Sequence, residues 1–135
     1  MKTRIVTAAA VLVSAWVHWS LWRQGFRDFH MVGSAFLLNA VAGLVIGVAL
    51  VAWRHWIPPL LAVGFGLSTL GAFVVSATVG LYGIHEVWSG SYVLTAAASE
   101  VVAVLGGALA LLLAWRRAPG GRSEHRLSVR RVHLH

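Results

Sequence analysis

Four long apolar runs, separated by three short polar stretches, make up most of this chain. They cover positions about 5–22, 32–53, 58–82 and 92–115. Each approaches the ~20 residues that a helix needs to cross a ~30 Å hydrocarbon layer. The connections "RQGFRDFHM", "RHWI" and "GIHEVWSGS" are too short for anything but antiparallel neighbours. The pattern therefore predicts an all-α membrane protein, an antiparallel up-down bundle of four transmembrane helices. Pro58 and Pro59 suit a helix start, where a missing amide proton costs nothing. Residues 1–116 form the predicted transmembrane domain. The remaining 117–135, within "RRAPGGRSEHRLSVRRVHLH", has too few apolar positions to pack and reads as a disordered basic tail.

Lipid supplies no hydrophobic drive between helices, so association rests on close backbone approach and polar contacts. Each run offers a stripe of small or polar residues at helical spacing. These are Ala10, Ser14 and His18; Asn39, Gly43 and Gly47; Ser68, Ala72, Ser76 and Gly80; and Ala96, Glu100, Ala103, Gly107 and Ala110. The stripes are expected to face one another.

Composition agrees with lipid as the solvent: 59% of the 135 residues are hydrophobic, 11% are charged and mean hydropathy is +0.78. There is no cysteine, which excludes disulfides, thiolate metal sites and thiol nucleophiles. The two methionines argue against a soft-ligand copper site. The net charge of +7 is not a nucleic-acid signal here, because six of the eleven basic residues lie beyond Trp115. With a cytoplasmic N-terminus, one side holds Lys2, Arg4, Arg54, Arg116, Arg117, Arg122, Arg126, Arg130 and Arg131, against Arg23 and Arg27 on the other. That bias predicts a multi-pass protein of the cell (inner) membrane with both termini cytoplasmic. Trp22, Trp53, Trp56, Trp88 and Trp115 fall at predicted span ends, as interfacial aromatics do. The six tail arginines are expected to lie against anionic inner-leaflet lipid, at ~1 kcal/mol per basic residue near the surface. "MKTRIVTAAAVLVSA" has the elements of a cleavable leader. Its apolar run continues to Trp22, which favours a retained span.

Candidate chemistry centres on Glu100, one of only four acidic residues, in the middle of the last run. Ionisable groups at such depth are functional candidates by default. At ~1.5 Å per residue, Glu100 lies ~12 Å below Tyr92 and His18 ~6 Å from Trp22. Asn39, Ser76 and Thr78 fall in the same half of the membrane. These five form a candidate intramembrane polar site, with His85 and Glu86 as its outer mouth. Three states of Glu100 are open: an acid donating to Asn39 or a carbonyl, a carboxylate paired with His18, or a wet group binding a proton, cation or polar ligand.

One segment also carries a resemblance. "AWVHWSLWRQGFRDFHMVGSAFLLNAVAG" is similar to a group of small four-span integral membrane proteins of actinobacteria, which has no assigned activity. The shared pattern is His18, Leu21 and Trp22, then Gly25, Phe26 and Arg27, then Gly33, then Phe36 through Ala40. A glutamate in the last span, here Glu100, also matches. The resemblance implies the four-span fold and marks His18, Asn39 and Glu100 as positions of interest.

The function class expected is a non-enzymatic accessory or structural membrane component. The alternative is a small-solute or proton-coupled carrier built on the Glu100 cluster. The nine-to-two basic bias disfavours an antiparallel dual-topology dimer, while a parallel homo-oligomer or larger membrane complex stays open. A haem- or quinone-binding redox protein ranks after these: His18 and His85 are the histidines that could meet, His55 falls on the opposite side and His30 in a loop. No metal motif, nucleophile elbow or phosphate loop is present, and no metal or cofactor is called for.

Overall fold

The computed structural model describes residues 1–81 and 90–118. Its elements are α1 (Lys2–Arg23), one turn of 3-10 helix at Phe26–Asp28, α2 (His30–Ala52), α3 (Ile57–Thr78) and α4 (Ser91–Arg116). All four α-helices are long and apolar enough to cross a membrane. They pack as a bundle, and the protein is an integral membrane protein of the multi-pass type. His85, Glu86, Trp88, Arg122, Arg126, Arg130 and Arg131 lie outside the described residues.

Helix α1 packs broadly on α2 and α4, and α4 packs broadly on α3. The α2–α3 seam is much thinner, and α1 and α3 meet only glancingly. One end of the bundle, formed by the start of α1 and the α2–α3 turn, is drawn tight by glycines. A Cβ on Gly107 would come within 2.9 Å of the Pro59 carbonyl, and one on Gly43 within 2.8 Å of the Ala15 methyl. Leu50, Val11, Thr7, Pro58 and Pro59 are fully buried there. Phe65 reaches across from α3 toward Gly43, closing the middle of the bundle.

Arg4 locks this tight end. Its guanidinium donates to the carbonyls of Leu50 (2.9 Å), His55 (3.0 Å) and Trp53. Those acceptors belong to the last turn of α2 and the segment after it, where helical carbonyls have no partner of their own. A cation also suits the negative end of the helix dipole. Sequence reasoning counts Arg4 only as a topology signal; its bonds join residues 46 to 51 positions away. Arg4→Ala is expected to lower unfolding free energy by ~1–2 kcal/mol, discounted for partial exposure. Arg4→Lys should recover only part of this, because an ammonium cannot reproduce the fork. Unfolding in micelles by a denaturing detergent measures both.

The third span ends sooner than the hydropathy suggests, at Thr78 rather than near position 82. Gly80 adopts φ +84°, and its amide donates back to the Val75 carbonyl at 3.1 Å. The left-handed glycine ends the helix, and this removes Gly80 from the packing stripe. The stripe itself also differs from expectation. Ser68 is exposed with its hydroxyl bonded to the Gly64 carbonyl, and Ala72 is exposed as well. The inward face of α3 instead carries Pro59, Ala62, Phe65, Gly66 and Ser76.

Candidate functional site

At the other end the helices stand apart around a cavity of about 180 Å³. His18 from α1, Asn39 from α2, Thr69 and Ser76 from α3, and Glu100 from α4 share its wall with apolar side chains. The structure thus gathers four of the five sequence-predicted intramembrane residues at one place. Thr78 is the exception. It lies two positions beyond Ser76, about 200° around an α-helix. Its side chain is therefore exposed, with the hydroxyl donating to the Val74 carbonyl at 2.8 Å.

Glu100 is 2% exposed, because α4 turns its small-residue face inward. Its Oε1 accepts from the Ser14 hydroxyl at 3.3 Å and lies 3.8 Å from His18 Nε2. The Thr69 hydroxyl is its hydrogen-bonding neighbour on α3. Three helices therefore converge on one carboxyl. Ser14 was legible in the sequence only as a packing residue. Thr69 gave no signal beyond being a hydroxyl in an apolar run.

The bond on the far side of the imidazole defines the proton count. His18 Nδ1 lies 2.8 Å from the Ser14 main-chain carbonyl, which can only accept, so Nδ1 carries a hydrogen. Nε2 is then left either as a lone pair or as a second N–H. Facing it across 3.8 Å is a carboxyl oxygen. A neutral acid against a lone pair and a carboxylate against an imidazolium both place one proton between the two groups. The pair has no net charge while it holds that proton and becomes an anion when the proton leaves. The surrounding hydroxyls accommodate either form by rotation. Thr69 Oγ1 also bonds the Phe65 carbonyl at 2.5 Å. With its hydrogen there, it accepts from a protonated Glu100; turned round, it donates to the carboxylate.

The α1–α2 connection buttresses His18. Gly25 has φ +144°, a conformation that side chains rarely adopt, and this reverses the chain after α1. Phe26 then packs tilted against Phe36 with centroids 4.7 Å apart, and Phe36 lies 5.2 Å from the His18 ring. Gly33 lets the Phe26 carbonyl approach α2 so closely that any Cβ would collide with it. Histidine, loop phenylalanine, helix glycine and helix phenylalanine therefore form one continuous contact, although they are spread over the sequence. Asn39 is one turn further along the same helix. Its side-chain nitrogen Nδ2 is buried and has no hydrogen-bond partner among the described residues.

Chemically, this wall can hold one proton on either of two groups, donate a hydrogen bond from Asn39, and offer apolar contact elsewhere. Among the described residues, no three His, Cys, Asp or Glu side chains converge as metal ligands. Comparison with protein-family models, with curated protein sequences and with solved structures finds no match to this chain.

Proposed function

We propose that the protein is a non-enzymatic component of the cell's inner membrane that binds a small solute in its cavity, beside a proton that Glu100 and His18 hold and release. One observation carries this reading. A buried, proton-sharing pair lines a space of about 180 Å³, whereas the opposite end of the bundle closes on itself through glycines. A polar contact serving packing alone needs no such space beside it. An unpartnered amide donor in the same wall is costly unless something fills the role of acceptor. Solute binding thus accounts for features that an accessory packing role leaves without a purpose.

Orientation belongs to the same proposal. Lys2, Arg4, Arg54, Arg116 and Arg117 stand at the tight end, while Arg23 and Arg27 stand at the cavity end beside Asp28. The positive-inside preference then places both termini in the cytoplasm and the cavity in the outer half of the membrane. Of the positions that mark the resemblance to the actinobacterial group, His18, Leu21, Phe36, Asn39 and Glu100 line the cavity.

The test is extraction of the full-length protein directly into lipid nanoparticles, followed by mass spectrometry of the small molecules retained. A near-equimolar species is expected with the wild type and not with Ala97→Phe, whose side chain fills the cavity. Thermal unfolding verifies that the variant is folded. Identical extracts from the two proteins would return the bundle to a purely structural role.

A further inference from the structure

We infer that the cavity takes a neutral, membrane-dissolved molecule bearing a carbonyl-type oxygen, which enters sideways between α2 and α3. This rests on the solute-binding reading above and specifies its ligand.

The route follows from which wall residues are also at the surface. Met31 is 61% exposed, and Ala35 and Ala72 are exposed too. All three line the cavity, from α2 and α3 alone. Those two helices share the thinnest seam between sequential neighbours in the bundle. The opening also lies below the helix ends. Ala35 is five residues into α2 and Ala72 six residues before the end of α3. At ~1.5 Å per residue, both sit ~8–9 Å inside, within the hydrocarbon of a spanning bundle. Small side chains on both lips leave the gap passable.

The ligand's chemistry follows from what the wall lacks. Asn39 Nδ2 offers a hydrogen with no acceptor among the described residues, so the partner we assign to it is an oxygen or similar acceptor on the ligand. While it holds its proton the Glu100–His18 pair has no net charge, and the rest of the wall is apolar apart from Asn39 and the Thr69 and Ser76 hydroxyls. An ion would therefore find no fixed counter-charge there, and burying it would be expensive. A neutral molecule meets no such cost and is also the kind that dissolves in hydrocarbon. The space exceeds the ~150 Å³ of apolar cavities that hold a benzene ring, so a substituted ring fits. Asn39 is nine residues into α2, roughly 13 Å from its start, deeper than the ester groups of the surrounding lipid. That favours a molecule dissolved in the membrane over a lipid ester.

The probe is duroquinone, a neutral, lipid-soluble ring with two carbonyls. The chain has no cysteine, so thiol addition does not confuse the assay. Full-length protein in nanodiscs is titrated and read by thermal unfolding. Wild type should be stabilised saturably, and Ala97→Phe should not respond. Asn39→Leu and Asn39→Ala should bind about tenfold more weakly, the loss of roughly one net hydrogen bond. Both are expected to fold, since the amide they lose has no partner on its donor side among the described residues. A sulfonated benzoquinone, confined to water, should have no effect. Affinity should be alike in ester-linked and ether-linked lipid. Unchanged affinity in both Asn39 variants would overturn the carbonyl assignment. Equal stabilisation by the sulfonated probe would overturn the lateral route. A marked gain in ether lipid would show lipid esters to be the occupant. If duroquinone fails while the extraction experiment still yields a retained molecule, this ligand class is wrong and solute binding stands. If both fail, both readings fall.

Discussion

Gly66→Val is expected to destabilise the bundle by ~3 kcal/mol or more, the upper range for overpacking a well-filled interior. A Cβ at Gly66 would come within 2.8 Å of the Glu100 carbonyl and 2.6 Å of a Val104 methyl. The methyl could rotate away, but the carbonyl belongs to the α4 backbone and cannot. The two helices would have to part where the carboxyl site begins. Valine is the better helix former by about 0.3–0.5 kcal/mol, so the collision should win by several-fold. Gly64→Val provides the comparison. It lies two residues away on the same helix, exposed, with nothing within 4 Å of its Cβ. It should be neutral or slightly stabilising. Detergent-induced unfolding of the two variants side by side separates steric packing from propensity.

The second large effect concerns the carboxyl itself. Glu100→Ala removes the partner of His18, Ser14 and Thr69 together, and leaves their polar atoms in a largely apolar space. Breaking a buried pair from one side typically costs 3–5 kcal/mol, and ~3 is expected here because the adjoining cavity softens the penalty. Glu100→Gln should cost less than ~1 kcal/mol. Its amide hydrogen can meet the Nε2 lone pair of a histidine whose Nδ1 hydrogen is committed to the Ser14 carbonyl. Its oxygen can still accept from Ser14. A double-mutant cycle with His18→Ala should return a coupling of ~1–3 kcal/mol for Glu100→Ala. A cycle that adds without coupling would mean that the 3.8 Å approach carries no interaction.

Much of the fold was legible because lipid imposes a simple rule on length and polarity. Four apolar runs with short connections admit few arrangements, and the observed helices differ from the expected spans mainly at α3. There the cue was subtle: Gly80 reads equally as a packing glycine or as a stop, and only its positive φ decides. The inward face of α4 was legible because Glu100 marks it, and Ala103, Gly107 and Ala110 continue its stripe at helical spacing. In α3 small residues occur on both sides. Gly64, Ser68 and Ala72 are exposed while Gly66 and Ser76 face inward. Since both faces of a membrane helix are apolar, periodicity could not choose between them. Thr69 was missed and Thr78 misplaced for that reason. Nothing in the sequence disclosed the three carbonyls gathered by Arg4, or the Ser14 carbonyl that sets the His18 tautomer. Those partners are main-chain atoms, and they acquire positions only when the chain has folded.

The most direct measurement is infrared spectroscopy of the Glu100 carboxyl in nanodiscs across pH, comparing wild type with Glu100→Gln and His18→Ala. A proton shared by two groups beside a cavity makes their titrations interdependent. The wild type should therefore show a carboxyl band, absent from Glu100→Gln, whose amplitude changes with pH. In His18→Ala the midpoint of that change should move. A band that stays constant at every pH, in wild type and His18→Ala alike, would contradict proton exchange and leave Glu100 a fixed hydrogen-bond donor in the bundle core.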